Sequence, residues 1–178
     1  MSTEPSSARG PGRLSWATLE DLYADELVEH GRRADSLGLD CPEDVFEQLF
    51  HDCHNDRRLA ELMRSVDWRA VTWEEDELSG VALRRVGVPR PFQRAVDEAR
   101  WRTAREGFSD ERQEVMTHWA EAHTWIRAPI LLAGDTLQLL LEYALVVGFT
   151  RLGNMLGALD HQELPEYSRH RVWIGRPA

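Results

Sequence analysis

Four consecutive residues, Gly148-Phe149-Thr150-Arg151, hold the densest set of groups for anion chemistry in this sequence. Glycine has no Cβ, so its backbone can come close to a phosphate. The amides that follow can donate to phosphate oxygens, Thr150 adds a hydroxyl, and Arg151 offers a two-point charged contact. With no ligand bound, Arg151 is expected to face solvent. Asn154 falls three residues later on the same helical face, where it can orient a ligand or close a local turn. Upstream, Arg84, Arg85, Arg90 and Arg94 crowd one stretch. They read either as a phosphate-binding rim, with Arg90 assisting the turn, or as a solvated face paired with Asp97 and Glu98.

Other chemistry is thinly represented. His118, His123, His161 and His170 are scattered and show no Ser-His-Asp arrangement. The run His51-Asp52-Cys53-His54 lacks a second ligand pair at zinc spacing, so no metal site is assigned. All 21 basic residues are arginine. That excludes a P-loop lysine, a Schiff base and a lysine general base. Seven tryptophans fall outside basic contexts and read as packing residues, not as a base-stacking platform. No catalytic residue is assigned.

The elements around the turn follow from apolar spacing. Residues 137–147 alternate and are rich in leucine and valine, which predicts a buried strand. Gly148 breaks it. Phe149, Leu152, Met155, Leu156 and Leu159 then follow helical spacing. A strand, a glycine turn and a helix start therefore come together, and a helix N-terminus is a ready anion site. Leu139, Leu141, Val147, Leu152, Leu156 and Trp173 are expected to share one core. Gly153 and Gly157 read as a close-packing pair.

The rest of the chain supplies supporting layers. Ser15 or Thr18 is expected to cap a helix through Leu37, Pro42 to open a second, and Asn55 or Asp56 to cap a third. Val71 and Trp73 read as a short strand, residues 74–77 as an acidic turn, and residues 81–88 as a further strand. Helices are expected over residues 92–105 and, capped by Ser109, from residue 110 onward. Gly134-Asp135 is expected to turn a hairpin, and Arg171-Val172-Trp173-Ile174 to close the sheet. This divides the chain into a disordered tail (1–14), a helical N-terminal subdomain (15–66) and an α+β domain with a small mixed sheet (67–178).

Composition narrows the partners. The 178 residues are 42% hydrophobic and 29% charged, ordinary for one soluble domain. There is no apolar run of membrane-spanning length and no secretory h-region, so the expectation is a cytoplasmic protein without a membrane partner. Of the net charge of −10, residues 1–66 carry 14 acidic and 7 basic groups. That surface disfavours duplex DNA and suits a basic protein partner.

The stretch Val146-Val147-Gly148-Phe149-Thr150-Arg151-Leu152 resembles the strand and Gly-x-x-Arg turn of the ParB/sulfiredoxin-like family. Pro129-Ile130-Leu131-Leu132 before it and Arg171-Val172-Trp173-Ile174 after it keep the family's order, so the likeness covers residues 129–178. The resemblance implies an α+β fold of ParB/sulfiredoxin type. It implies a nucleotide or phosphate ligand held by Gly148, Phe149, Thr150, Arg151 and Asn154 with Arg90. A nucleoside triphosphate with Mg is the implied cofactor, and a weak NTPase or nuclease-like hydrolase the implied activity. Two departures matter. The turn has no cysteine, which argues against sulfinic acid reduction. No helix-turn-helix follows, so centromere partitioning is not expected. The other class of function is a catalytically silent acidic interaction protein, such as an antitoxin, immunity or regulatory subunit.

Overall fold

A computed structural model describes residues 14–18, 38–53 and 56–178. Residues 1–13 of the expected tail and residues 19–37 of the first expected helix lie outside them, whereas Leu14, expected in the tail, is buried and donates its N–H to Asp67 Oδ1 at 3.2 Å. Ser15 does cap a helical start, its hydroxyl accepting from Thr18 N–H at 3.2 Å.

The architecture is α+β, with one open four-stranded mixed sheet between two helical layers. In chain order the strands are β1 (Val71–Ser79), β2 (Ile130–Ala133), β3 (Tyr143–Val147) and β4 (Arg169–Pro177). Their spatial order is β1-β4-β2-β3. β4 runs antiparallel to β1 and parallel to β2, and β3 runs antiparallel to β2 with a register shift between Ile130 and Leu131. Ile130 and Leu132 face one layer and Leu131 the other, as strand alternation requires.

The first layer is N-terminal. Helix α1 (Glu43–Val45) runs on as a π-helical segment, Phe46–His51, and α2 (Arg57–Met63) follows. Asp56 caps α2 by accepting from Arg58 N–H. Trp16, Phe50 and Trp68 form a buried aromatic knot with centroids 5.0–6.2 Å apart. This knot is continuous with Ile130, Leu132 and Val146, so the N-terminal helices and the sheet share one apolar core.

The second layer is α4 (Gln93–Glu106) crossing α7 (Phe149–Asp160). Every residue from Leu152 to Leu159 is buried. The two helices touch backbone to backbone at Gly153 and Gly157. A Cβ on Gly153 would stand 2.5 Å from Val96 O, and one on Gly157 would stand 2.5 Å from Arg100 O. Asp160 at the end of α7 takes Arg84 at 2.7 Å and Arg100 at 2.6 Å. The short helix α3 (Gly80–Leu83), α5 (Gln113–Ala122) and the single turn α6 (Gly134–Leu137) complete the set.

Four local expectations are corrected. The acidic run 74–77 is no turn but the middle of β1, because β4 offers a guanidinium diagonally across the ladder to three of its carboxylates. Glu74 meets Arg176, Glu75 meets Arg171 and Glu77 meets Arg169, the cross-strand pairing that favours a ladder. Residues 81–88 are no strand. Ser79 Oγ accepts from Ala82 N–H and starts a helical turn instead, leaving only Gly87 bridged to Ala144. Residues 137–142 are not strand either. β2 is four residues long, so its antiparallel partner has nothing to pair with before Tyr143. The intervening loop closes on itself, Gly134 N–H to Glu142 O at 2.9 Å and Leu139 N–H to Gly134 O at 2.8 Å. Leu140 is fully exposed and Leu139 40% exposed, so Leu139 leaves the expected core, and the rest do not share one, since Val147 packs on one side of the sheet and Leu152 and Leu156 on the other. Ser109 does not cap α5. Asp110 takes Arg112 N–H, and the helix begins at Gln113.

His170 on β4 gives the fold a pH dependence. It is 2% exposed. Ser168 donates its hydroxyl to Pro165 O at 2.7 Å, so the His170 Nε2–H is assigned to Ser168 Oγ (2.8 Å), leaving Nδ1 to accept from Thr124 (3.1 Å). Burial pushes its pKa down to about 4, against a weak upward pull from Glu77. The unfolded chain therefore binds a proton that the folded one refuses. Stability is expected to fall by about 2 kcal/mol, allowing for screening, as pH drops from about 6.5 to 4, and this loss levels off below. Urea titrations across that window check it. His170→Gln should flatten the slope there.

Candidate functional site

Strand β3 runs into Gly148, whose φ of 95° is in the left-handed region that L side chains avoid. Space is short as well, since a Cβ there would sit 2.9 Å from Pro129 Cβ and 3.0 Å from Arg151 Nε. The turn thus needs glycine for conformation and for room. No side chain caps α7, and its first helical hydrogen bond is Leu152 N–H to Gly148 O at 2.9 Å. The amides of Phe149, Thr150 and Arg151 are left without intrahelical acceptors.

The residues that carry them line a cavity of about 600 Å³. Gly148, Phe149, Thr150, Arg151 and Asn154 all line it, so five of the six residues singled out in the sequence meet in one place. Arg90 does not line it. It is exposed in the 3-10 turn Arg90–Phe92 before α4. Of the crowded arginines, Arg84 binds Asp160 and Arg94 binds Glu98 at 2.7 Å, which fits a solvated face.

The remaining walls come from distant segments. Phe92 lies flat on Phe149, with centroids 3.9 Å apart and planes 5° off parallel, and the Arg58 guanidinium sits 4.5 Å from the Phe92 ring centre. Phe108 stacks on Trp119 at 4.1 Å. No pattern in the sequence tied these rings to the turn, because they approach it only through the packing of α4 and α5.

Arg151 departs from expectation. It does not point freely into solvent. Its Nη1 donates to Arg127 O and its Nη2 to Gln48 Oε1, both at 2.7 Å. Burial, with the charge of Arg127 second, lowers its pKa to about 10. Gln48 sits on the π-helical segment, 2% exposed, and donates to Asp44 Oδ2 and Ala128 O. Asp44 also accepts from Arg127 Nε and from Trp173 Nε1. Arg151 therefore ties the first helical layer to the sheet while one side of it lines the cavity. Neither Asp44 nor Gln48 carried a signal in the sequence, since both look like surface residues of an amphipathic helix.

Charges around the cavity are largely paired. Asp56 gives both carboxylate oxygens to Arg58, and Asp110 gives both to Arg112. Arg127 lies between Asp44 and Glu47. Cys53, also in the wall, is pushed up to about 11 by burial first and by Asp52 and Asp56 next, so its thiol is a poor nucleophile at neutral pH. Of the four carboxylates lining the cavity, Asp56 and Asp110 spend both oxygens on hydrogen bonds to arginines, and Asp52 and Glu114 do not. Among the described residues no group of three or more His, Cys, Asp or Glu comes together to hold a metal. None of the helices described is long and apolar enough to cross a membrane.

No family model, no curated protein and no solved structure matches this chain.

Proposed function

We propose that this protein is a nucleotide- or phosphate-binding domain of ParB/sulfiredoxin-like type, with the ligand seated at the start of α7. One observation carries the reading. Phe149, Thr150 and Arg151, whose amides have no side-chain cap, line a cavity of about 600 Å³ that aromatic rings help to wall. A mostly preformed hollow with apolar walls and a few converging donors is the usual form of a small-molecule site. The order β2, β3, glycine turn, α7, β4 supports the likeness. The reading stops at binding. Cys53 is a poor nucleophile, and no residue of the cavity is assigned an acid–base role.

Thr150→Glu tests it. Thr150 is exposed in the first turn of α7, where a carboxylate favours the helix by about 0.3–1 kcal/mol but repels a phosphate. The wild type should melt higher with a phosphate-bearing nucleotide, by the equivalent of about 2.7 kcal/mol at a hundred times Kd. Thr150→Glu should keep or raise the ligand-free melting point and lose that response. A wild type that no nucleotide or phosphate stabilises ends the reading. The second reading, an interaction protein, would then lead, because Leu139 and Leu140 stand exposed together on the loop before β3.

A further inference from the structure

Of the three longer helices, α5 is held least. No residue of Gln113–Ala122 is buried, whereas α4 buries Val96, Ala99 and Thr103, and α7 buries every residue from Leu152 to Leu159. The segment around α5 is bonded to itself. Asp110 takes Arg112 through both carboxylate oxygens, and its own N–H meets Met116 Sδ at 3.2 Å. Gln113 O accepts from Thr117 at 2.9 Å, and Phe108 stacks on Trp119. Among the described residues, no hydrogen bond or ion pair joins residues 108–122 to the chain outside 107–123. Few buried contacts and few outside bonds mean that such a piece parts from its surroundings at low cost.

Both ends of the segment carry unusual backbone angles. Gly107 has φ 79° and ψ 171°, a combination essentially closed to L residues, and His123 has φ 51°, in the left-handed region. A Cβ on Gly107 would meet a single atom, the movable Glu163 Oε1 at 2.9 Å, so the constraint there lies in the backbone. Beyond these two residues the chain is anchored. Gly107 N–H bonds Thr103 O at the end of α4. Past His123, the Thr124 hydroxyl bonds His170 Nδ1 and the Trp125 indole donates to Arg171 O at 2.6 Å. The segment thus hangs between two fixed posts, and Phe108, Arg112, Val115 and Trp119 from it line the cavity, as do Arg58 and Leu59 of α2. His118 shares a face of α5 with Val115 and Trp119. Its Nε2 is buried without a partner, a cost that access to water relieves.

We propose that residues 107–123 form a lid that turns as one body about Gly107 and His123 and gates the cavity. In the position seen here it forms part of the wall, and swung away it opens a path for entry. The movement belongs to the free chain and does not rest on what the cavity binds. A few positions at the ends of a rigid piece are enough to absorb such a turn, and closure over a site sequesters it from water.

Distances between paired nitroxide labels on the full chain test this, with Cys41 and Cys53 replaced by serine and no ligand added. One pair spans the cavity, on cysteines placed at exposed Glu121 of α5 and exposed Glu61 of α2. The other lies within the lid, at exposed Gln113 and Glu121. The spanning pair is expected to show two distances or one broad distribution, and the lid pair a single narrow distance. A single narrow spanning distance overturns the lid. A broad lid pair overturns it too, because the helix would then be melting in place. Gly107→Ala tests the hinge. An L side chain is strained at this φ and ψ, so the longer spanning distance should gain about fivefold or more in population, with the lid pair unchanged. An unchanged spanning distribution in that variant overturns the hinge at Gly107. Failure of the lid leaves the nucleotide reading standing, and failure of that reading leaves the lid.

Discussion

Alanine at both Gly153 and Gly157 is expected to cost on the order of 3 kcal/mol of folding stability, although alanine is the better helix former by about 1 kcal/mol at each position. The opposing force is contact. The added methyls would meet the Val96 and Arg100 carbonyl oxygens at 2.5 Å, and the Ala99 and Thr103 β-carbons at 2.7 and 2.6 Å. Backbone atoms of a helix cannot step aside singly, so α4 must lift from α7 as a body. That movement strains the Asn154–Thr103 bond and the Arg100–Asp160 ion pair. Chemical denaturation of the single and double variants measures it. A double variant as stable as the wild type would mean that the two helices part at little cost.

Arg151→Ala is expected to cost about 2 kcal/mol of stability as well as any ligand. Two buried acceptors, Arg127 O and Gln48 Oε1, lose their donor, and each unsatisfied group costs about 1–3 kcal/mol. Relief from holding a buried cation offsets part of that. Arg151→Lys should rescue little, because an ammonium on a flexible stem does not reproduce the two-point fork. Denaturation curves for the two variants check this, and a wild-type midpoint for Arg151→Ala would show that Gln48 finds another donor.

The turn and its helix were legible because local rules govern them. Gly148 ends an apolar run, and the 3.6-residue spacing from Phe149 to Leu159 survives intact in α7. The helix over residues 92–105 and the closing strand were legible for the same reason. What misled were runs whose fate depends on a partner. Residues 137–142 have strand composition, but β2 is too short to pair them. Residues 74–77 look like a turn until Arg169, Arg171 and Arg176, nearly a hundred positions away, arrive opposite them. The role of Arg151 was half legible. Its type suggested an anion, but nothing local showed that Gln48 would reach across 103 residues to hold it.

The placement of β4 has a consequence for how the chain is made. β4 is an inner strand of the sheet and yet the last of the four to be synthesised, joined on one side to β1 and on the other to β2. Until residues 169–177 have left the ribosome, β1 has no neighbour, and the β2–β3 hairpin has one raw edge. The helical layers and that hairpin can collect early, but the sheet closes only by capturing its middle. Contacts so far apart in sequence slow folding, and unpaired edges in the waiting chain invite association. A nascent chain stalled before Arg169 is therefore expected to be prone to association.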